Sequence, residues 1–170
     1  MKKGLVISDL HAGSYYSPMP DKVEVEDRNG ERIRYLPSNT QKELMKAWRK
    51  MCSSGHYDFC ILNGDLADGP QRKSMGKGVI TSNLKAQADM AVELIRMIDC
   101  DKFYLTMGSE YHCQEDRPLE EYIAEQLNGT YSDDMILEVE DCRMHISHNI
   151  PVSSSSWQYR STPLARDLLL

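Results

Sequence analysis

Three short apolar runs, rich in β-branched and aromatic residues and each ending in polar residues, frame the chain. Gly4-Leu5-Val6-Ile7-Ser8 leads into Asp9-Leu10-His11, Tyr57-Asp58-Phe59-Cys60-Ile61-Leu62-Asn63 into Gly64-Asp65, and Lys102-Phe103-Tyr104-Leu105-Thr106-Met107 into Gly108-Ser109-Glu110. Apolar runs this short, without strict alternation, read as buried strands. Between them the hydrophobic period lengthens to that of a helix. Leu44, Met45, Trp48 and Met51 share one face of Thr40 to Met51, and Ala91, Leu94, Ile95 and Ile98 share one face of Asn83 to Ile98. Strands alternating with helices predict an α/β fold with a mainly parallel sheet. Ligands of such sheets bind at the carboxyl ends of the strands, where all three polar motifs fall.

Other segments add to this frame. Val23 to Tyr35 reads as a β-hairpin turning at Asn29-Gly30, and 14–39 is expected to be a flap inserted into a single domain of 1–170, facing substrate. Pro118 to Leu127 predicts a helix closed by Asn128-Gly129, Met135 to Val139 and Cys142 to Ile146 predict paired strands, and Ser161 to Leu170 opens a further helix.

Composition narrows the class. A chain of 170 residues with 41% apolar and 27% charged residues can bury a core without staples. The apolar run at the start ends at Asp9, too short for a signal peptide, and no run has the length of a membrane span, so a cytoplasmic protein without a membrane partner is expected. Five cysteines, with no C-x-x-C pair, indicate reduced thiols rather than a disulfide framework or zinc knuckle. A net charge of -6 argues against a broad duplex-binding surface, yet leaves nucleic acid open, because a metal centre supplies positive charge locally. A P-loop is excluded because Gln71 stands where its first glycine is needed and Gly78 where Ser or Thr belongs. No Gly-x-Gly-x-x-Gly follows the first strand, so a dinucleotide fold has no fingerprint.

The motifs carry chemistry. Asp9 and His11, two apart on an extended chain, point the same way and can clasp a cation. In Gly64-Asp65-Leu66-Ala67-Asp68 the glycine permits a sharp turn and Asp65 can bridge two cations, although an Asp-rich turn with Asp68 as a helix cap would look the same. With Gly108-Ser109-Glu110-Tyr111-His112 after the third strand, these form an ordered set on equivalent strand ends.

That set resembles the calcineurin-like metallophosphoesterase superfamily, particularly its phage-type and uncharacterised prokaryotic members. The family pattern is Asp-x-His, Gly-Asp-x-x-Asp, Gly-Asn-His-Asp or Glu, a later single His, and finally Gly-His-x-His. The resemblance implies a metallophosphoesterase-type αββα sandwich. It also implies a hydrolase that cleaves phosphodiester or phosphomonoester bonds with water activated by two divalent cations (Mn, Fe, Zn or Mg), nuclease or other nucleic-acid-processing activity included. Carried over, Asp9 and His11 bind the first cation, Asp65 bridges both, and Asp68 acts behind them in catalysis. The third motif departs from the family: it has no asparagine and its histidine is displaced, which makes Glu110 the expected ligand of the second cation and His112 the catalytic histidine that assists the leaving oxygen. His148 is preferred to His145 as the later ligand because it ends its strand. Arg72 and Lys73 in the Gly69 to Gly78 segment, and Arg160, are the cations expected to meet a substrate phosphate. The final Gly-His-x-His is not present before Leu170, so a C-terminally incomplete domain is expected, with truncation favoured. The alternative is a catalytically incomplete scaffold or binding module of the same fold.

Overall fold

A computed structural model describes residues 1–26, 31–71, 77–112 and 117–148. Its central element is a four-stranded parallel sheet in the order β1 (Gly4–Ile7), β4 (Phe59–Asn63), β5 (Phe103–Thr106), β6 (Thr130–Ser132). The register runs Ile7 beside Leu62 and Asn63 beside Thr106, so these three strands end level with one another. Three helices connect or follow them: α1 (Asn39–Cys52), α2 (Leu84–Ile95) and α3 (Leu119–Leu127). Two antiparallel pairs, β2 (Val23–Glu26) with β3 (Arg32–Tyr35) and β7 (Met135–Val139) with β8 (Cys142–Ile146), complete the described elements.

Helix boundaries follow local chemistry. Ser38 and Gln41 form a reciprocal capping box at the start of α1, and Met45, Trp48 and Cys52 recur at helical spacing on its buried face. Asn83 caps α2 by accepting the Ala86 N–H, and α3 ends at Asn128, whose φ of 52° is the left-handed conformation common at helix ends. Strand alternation then divides the sheet between two cores. Leu5, Ile7, Cys60, Leu62, Phe103 and Leu105 face the three helices. Phe59, Ile61 and Tyr104 face the other way, against Met135, Leu137 and Ile146 of the β7–β8 pair.

The order of layers is therefore helices, parallel sheet, antiparallel pair. The expected α/β class and parallel sheet are present, while the outer helical layer of an αββα sandwich is not among the described residues, and the helix expected at 161–170 lies outside them. β6 has no counterpart in the sequence reading, since three residues are too few to show a period. The 14–39 segment divides: Ser14, Tyr16, Ser17 and Pro18 line the cleft at the strand ends, whereas Val23 and Val25 of the hairpin are buried in the main core. No helix among the described residues is long and apolar enough to cross a membrane.

One buried polar side chain joins the helical layer to the turns beyond β4. Gln87 of α2, fully buried, accepts the Gly69 N–H at 2.8 Å and donates to the carbonyls of Gly69 at 3.2 Å and Thr81 at 2.8 Å. Gln87→Leu keeps the volume but removes the side-chain partner of three backbone groups, two of them, on Gly69, buried. Urea unfolding of this variant is expected to show a loss of about 3 kcal/mol, the scale of such unsatisfied groups; an unchanged midpoint would refute the clamp.

Candidate metal centre

Beyond Ile7 and Leu62 the strand residues give way to turns, but the backbone pairing continues. The Asp9 N–H donates to the Gly64 carbonyl at 3.2 Å, His11 to Asp65 at 2.9 Å, Ala12 to Leu66 at 2.9 Å, and Asp68 back to Ala12 at 3.0 Å. Asp9, His11 and Asp65 adopt φ of 57°, 49° and 51°. This left-handed region is uncommon for side-chain-bearing residues, costs of order 1–3 kcal/mol each, and clusters at functional sites. Two glycines permit the close approach of the third motif. A Cβ on Gly64, whose φ is 70°, would meet Gly108 Cα and the His148 ring at 2.7 Å, and one on Gly108 would meet Asp65 Oδ1 at 2.3 Å.

Six of the expected residues converge there in two groups, Asp9 with Asp65 and His148, and His11 with Asp68 and His112, each with its ligand atoms within 4.8 Å of one another. Asp65 lies at the centre and is buried. Its carboxylate accepts the Ser109 N–H at 2.7 Å and the Ser109 hydroxyl at 3.0 Å, and His148 Nε2 lies 3.1 Å from Oδ2. His148 Nδ1 sits 2.7 Å from the Asn63 carbonyl, and His112 Nδ1 meets the carbonyl of Asp68. A carbonyl only accepts, so in both rings Nδ1 carries the proton and Nε2 is turned toward the carboxylates, the orientation that a metal-binding histidine requires.

His11 differs. Its Nδ1 lies 3.2 Å from Asp68 Oδ1, close enough for that carboxylate, the largest influence, to raise the imidazole above its ordinary pKa against the opposing effect of burial. The approach is poorly directed, so this buried nitrogen makes no hydrogen bond. A buried ring nitrogen without a hydrogen-bond partner, among carboxylates and imidazoles of the kind borderline divalent cations take, fits a metal ion.

The other expected residues lie elsewhere. Glu110 is exposed and belongs to neither group, whereas its neighbour Ser109 contacts Asp65, so the described geometry does not support Glu110 as a ligand. His145 pairs with Asp134 at 2.6 Å on the exposed side of β8. Arg72, Lys73 and Arg160 lie outside the described residues. No family model matches this chain, and no curated protein is significantly similar to it.

Sequence reasoning missed Glu120. Two acidic residues in the first turn of a helix are the ordinary complement of its dipole, so nothing marked this one. It is 2% exposed, Oε1 accepts the Leu66 N–H at 3.3 Å, and buried Oε2 has no hydrogen-bond partner. Burial, reinforced by the charge of Asp65, raises its pKa above the ordinary 4.5. A carboxyl with a raised folded-state pKa binds more protons folded than unfolded, so its contribution to stability falls as pH rises from that ordinary value through the raised one. Glu120→Gln keeps an acceptor for Leu66 and removes the titration. In chelator, the thermal midpoint of the variant is therefore expected to gain on that of the parent as pH rises toward neutrality; a pH-independent difference would refute this account.

Proposed function

We propose that this chain is a metal-dependent phosphoesterase of the calcineurin-like metallophosphoesterase type, hydrolysing phosphoester bonds at the carboxyl ends of β1, β4 and β5. The observation that carries the reading is the convergence of two Asp/His groups on these strand ends, three of their members in left-handed backbone conformations. The helix, parallel-sheet and antiparallel-pair layers suit three of the four layers of an αββα sandwich.

Asp9, His11, Asp65 and His148 are the residues that would hold divalent cations, Asp65 of one group lying 3.9 Å from His112 of the other. Such cations supply Lewis-acid polarisation of a phosphoryl group and lower the pKa of water. The protein's own contributions are orientation and proton transfer. Ser109 fixes the Asp65 carboxylate through its N–H and hydroxyl, and the Asp68 carboxylate lies 3.2 Å from His11 Nδ1. His112 lines the cleft beside these groups, and its Nδ1 proton is committed to the Asp68 carbonyl. With Nδ1 so committed, Nε2 is the ring atom left to exchange a proton, and in the imidazolium form it would deliver one to the leaving oxygen.

Asp65→Asn replaces the central carboxylate by an amide of the same shape. Manganese-dependent hydrolysis of bis(p-nitrophenyl) phosphate is expected to fall at least about hundredfold in this variant, in line with the loss of a metal-orienting group. Undiminished activity would overturn the proposal. Failure of the parent protein to bind manganese in a titration would favour the binding-module reading, which the position of Glu110 outside both groups supports.

A further inference from the structure

We propose that Glu120 is a positioning residue of this centre: from the first turn of α3 it holds the peptide that follows Asp65, and cation affinity depends on that hold. The inference rests on the metal-centre reading and deepens it. Two acidic residues stand side by side in the first turn of α3, and their surroundings differ. Glu121 pairs with Arg117 at 2.9 Å on the surface, the ordinary work of an acid at a helix start. Glu120 is turned inward and is 2% exposed, and its Oε1 accepts the N–H of Leu66, 54 residues away in sequence, at 3.3 Å.

The peptide between Asp65 and Leu66 is thereby held at both ends. Its carbonyl accepts the His11 N–H at 2.9 Å, and its N–H is taken by Glu120. Rotation of this peptide plane would move the backbone that carries the Asp65 carboxylate. The φ of 51° at Asp65 is a conformation that a chain keeps only where its surroundings over-determine it. Gly108 is the spacer between the two carboxyl groups, because a Cβ there would stand 2.3 Å from Asp65 Oδ1 and 3.1 Å from Glu120 Oε1. Folding alone does not account for a carboxyl at this position. Its second oxygen is buried without a hydrogen-bond partner, an arrangement that costs stability. A costly group kept behind a cluster of candidate ligands has the character of an outer partner that orients a ligand, and removal of such partners weakens metal binding about ten- to hundredfold.

The test is calorimetric binding of manganese to the full chain, with thermal midpoints measured alongside. Glu120→Gln keeps the reach and the acceptor without the charge, and is expected to retain the parent's affinity. Glu120→Asp keeps the charge but is one methylene short, and Glu120→Leu has neither; both are expected to weaken binding about tenfold or more. Ile98→Ala, a buried deletion ahead of β5 and so away from its carboxyl end, controls for lost stability: its midpoint is expected to fall while its affinity stays. Parent-like affinity in Glu120→Asp, an equal loss in Glu120→Gln, or a comparable loss in Ile98→Ala would overturn the inference. Should Glu120→Leu not fold, the Glu120→Asp and Glu120→Gln variants decide it. A parent chain that binds no manganese overturns the inference together with the metal centre, whereas binding without ester hydrolysis overturns the phosphoesterase reading alone.

Discussion

The candidate centre depends on the backbone pairing that carries β1 and β4 past their own ends. The hydrogen bonds from Asp9 to Gly64, His11 to Asp65 and Ala12 to Leu66 hold two turns side by side as if they were still strands, while left-handed φ values at Asp9, His11 and Asp65 redirect the side chains. Regular strands would have sent Asp65 and Asp68, three residues apart, to opposite faces. The pairing supplies the rigidity and the conformations supply the direction. Gly64 and Gly108 then let the turn after β5 approach, because a side chain at either position would occupy the space of Asp65, Gly108 or His148.

The same arrangement gathers groups that repel or are costly to bury. Asp65 and Asp68 are both buried, Glu120 is buried behind them with one oxygen unpaired, and His11 keeps a ring nitrogen without a hydrogen bond. Carboxylates crowded in a low-dielectric interior destabilise one another, and hydrogen bonds from Ser109 and the imidazoles offset only part of that. A cation between the two groups would compensate the charge and take up the open nitrogen.

How much of this was legible in the sequence follows from which residues act through local pattern and which through tertiary contact. The strands ending at Ile7, Asn63 and Thr106, and helices α1 to α3, were marked by apolar period and by capping residues such as Ser38 and Asn83. Asp9, His11, Asp65, Asp68, His112 and His148 were legible because each lies in the turn after a predicted strand, within six residues of its end, so knowledge of the strand gives the neighbourhood. The choice between Glu110 and Ser109 depends on how one turn rotates, which sequence does not show; here Ser109 contacts Asp65 while Glu110 is exposed. Glu120 and Gln87 were invisible, since a polar residue on a helix reads as solvent-facing until the packing shows otherwise. The β2–β3 hairpin was recognised as an element but not located, because its two valines suit a core as well as a flap.

The lining of the cleft illustrates a further limit of pattern. Trp48 was read as a core residue of α1, and it is one, yet part of its ring also lines the cleft beside the centre. Its polar edge is satisfied inside by Leu94, so the exposed portion has no water to retain and presents a surface that favours apolar contact. Tyr16 stands opposite in character, held by its backbone but scarcely buried by its ring. Folding has already fixed the Tyr16 backbone, so a ligand laid on the ring would have only side-chain freedom left to order. The turn that carries Tyr16 thus starts at His11, joined to it by the Ser14 N–H on the His11 carbonyl.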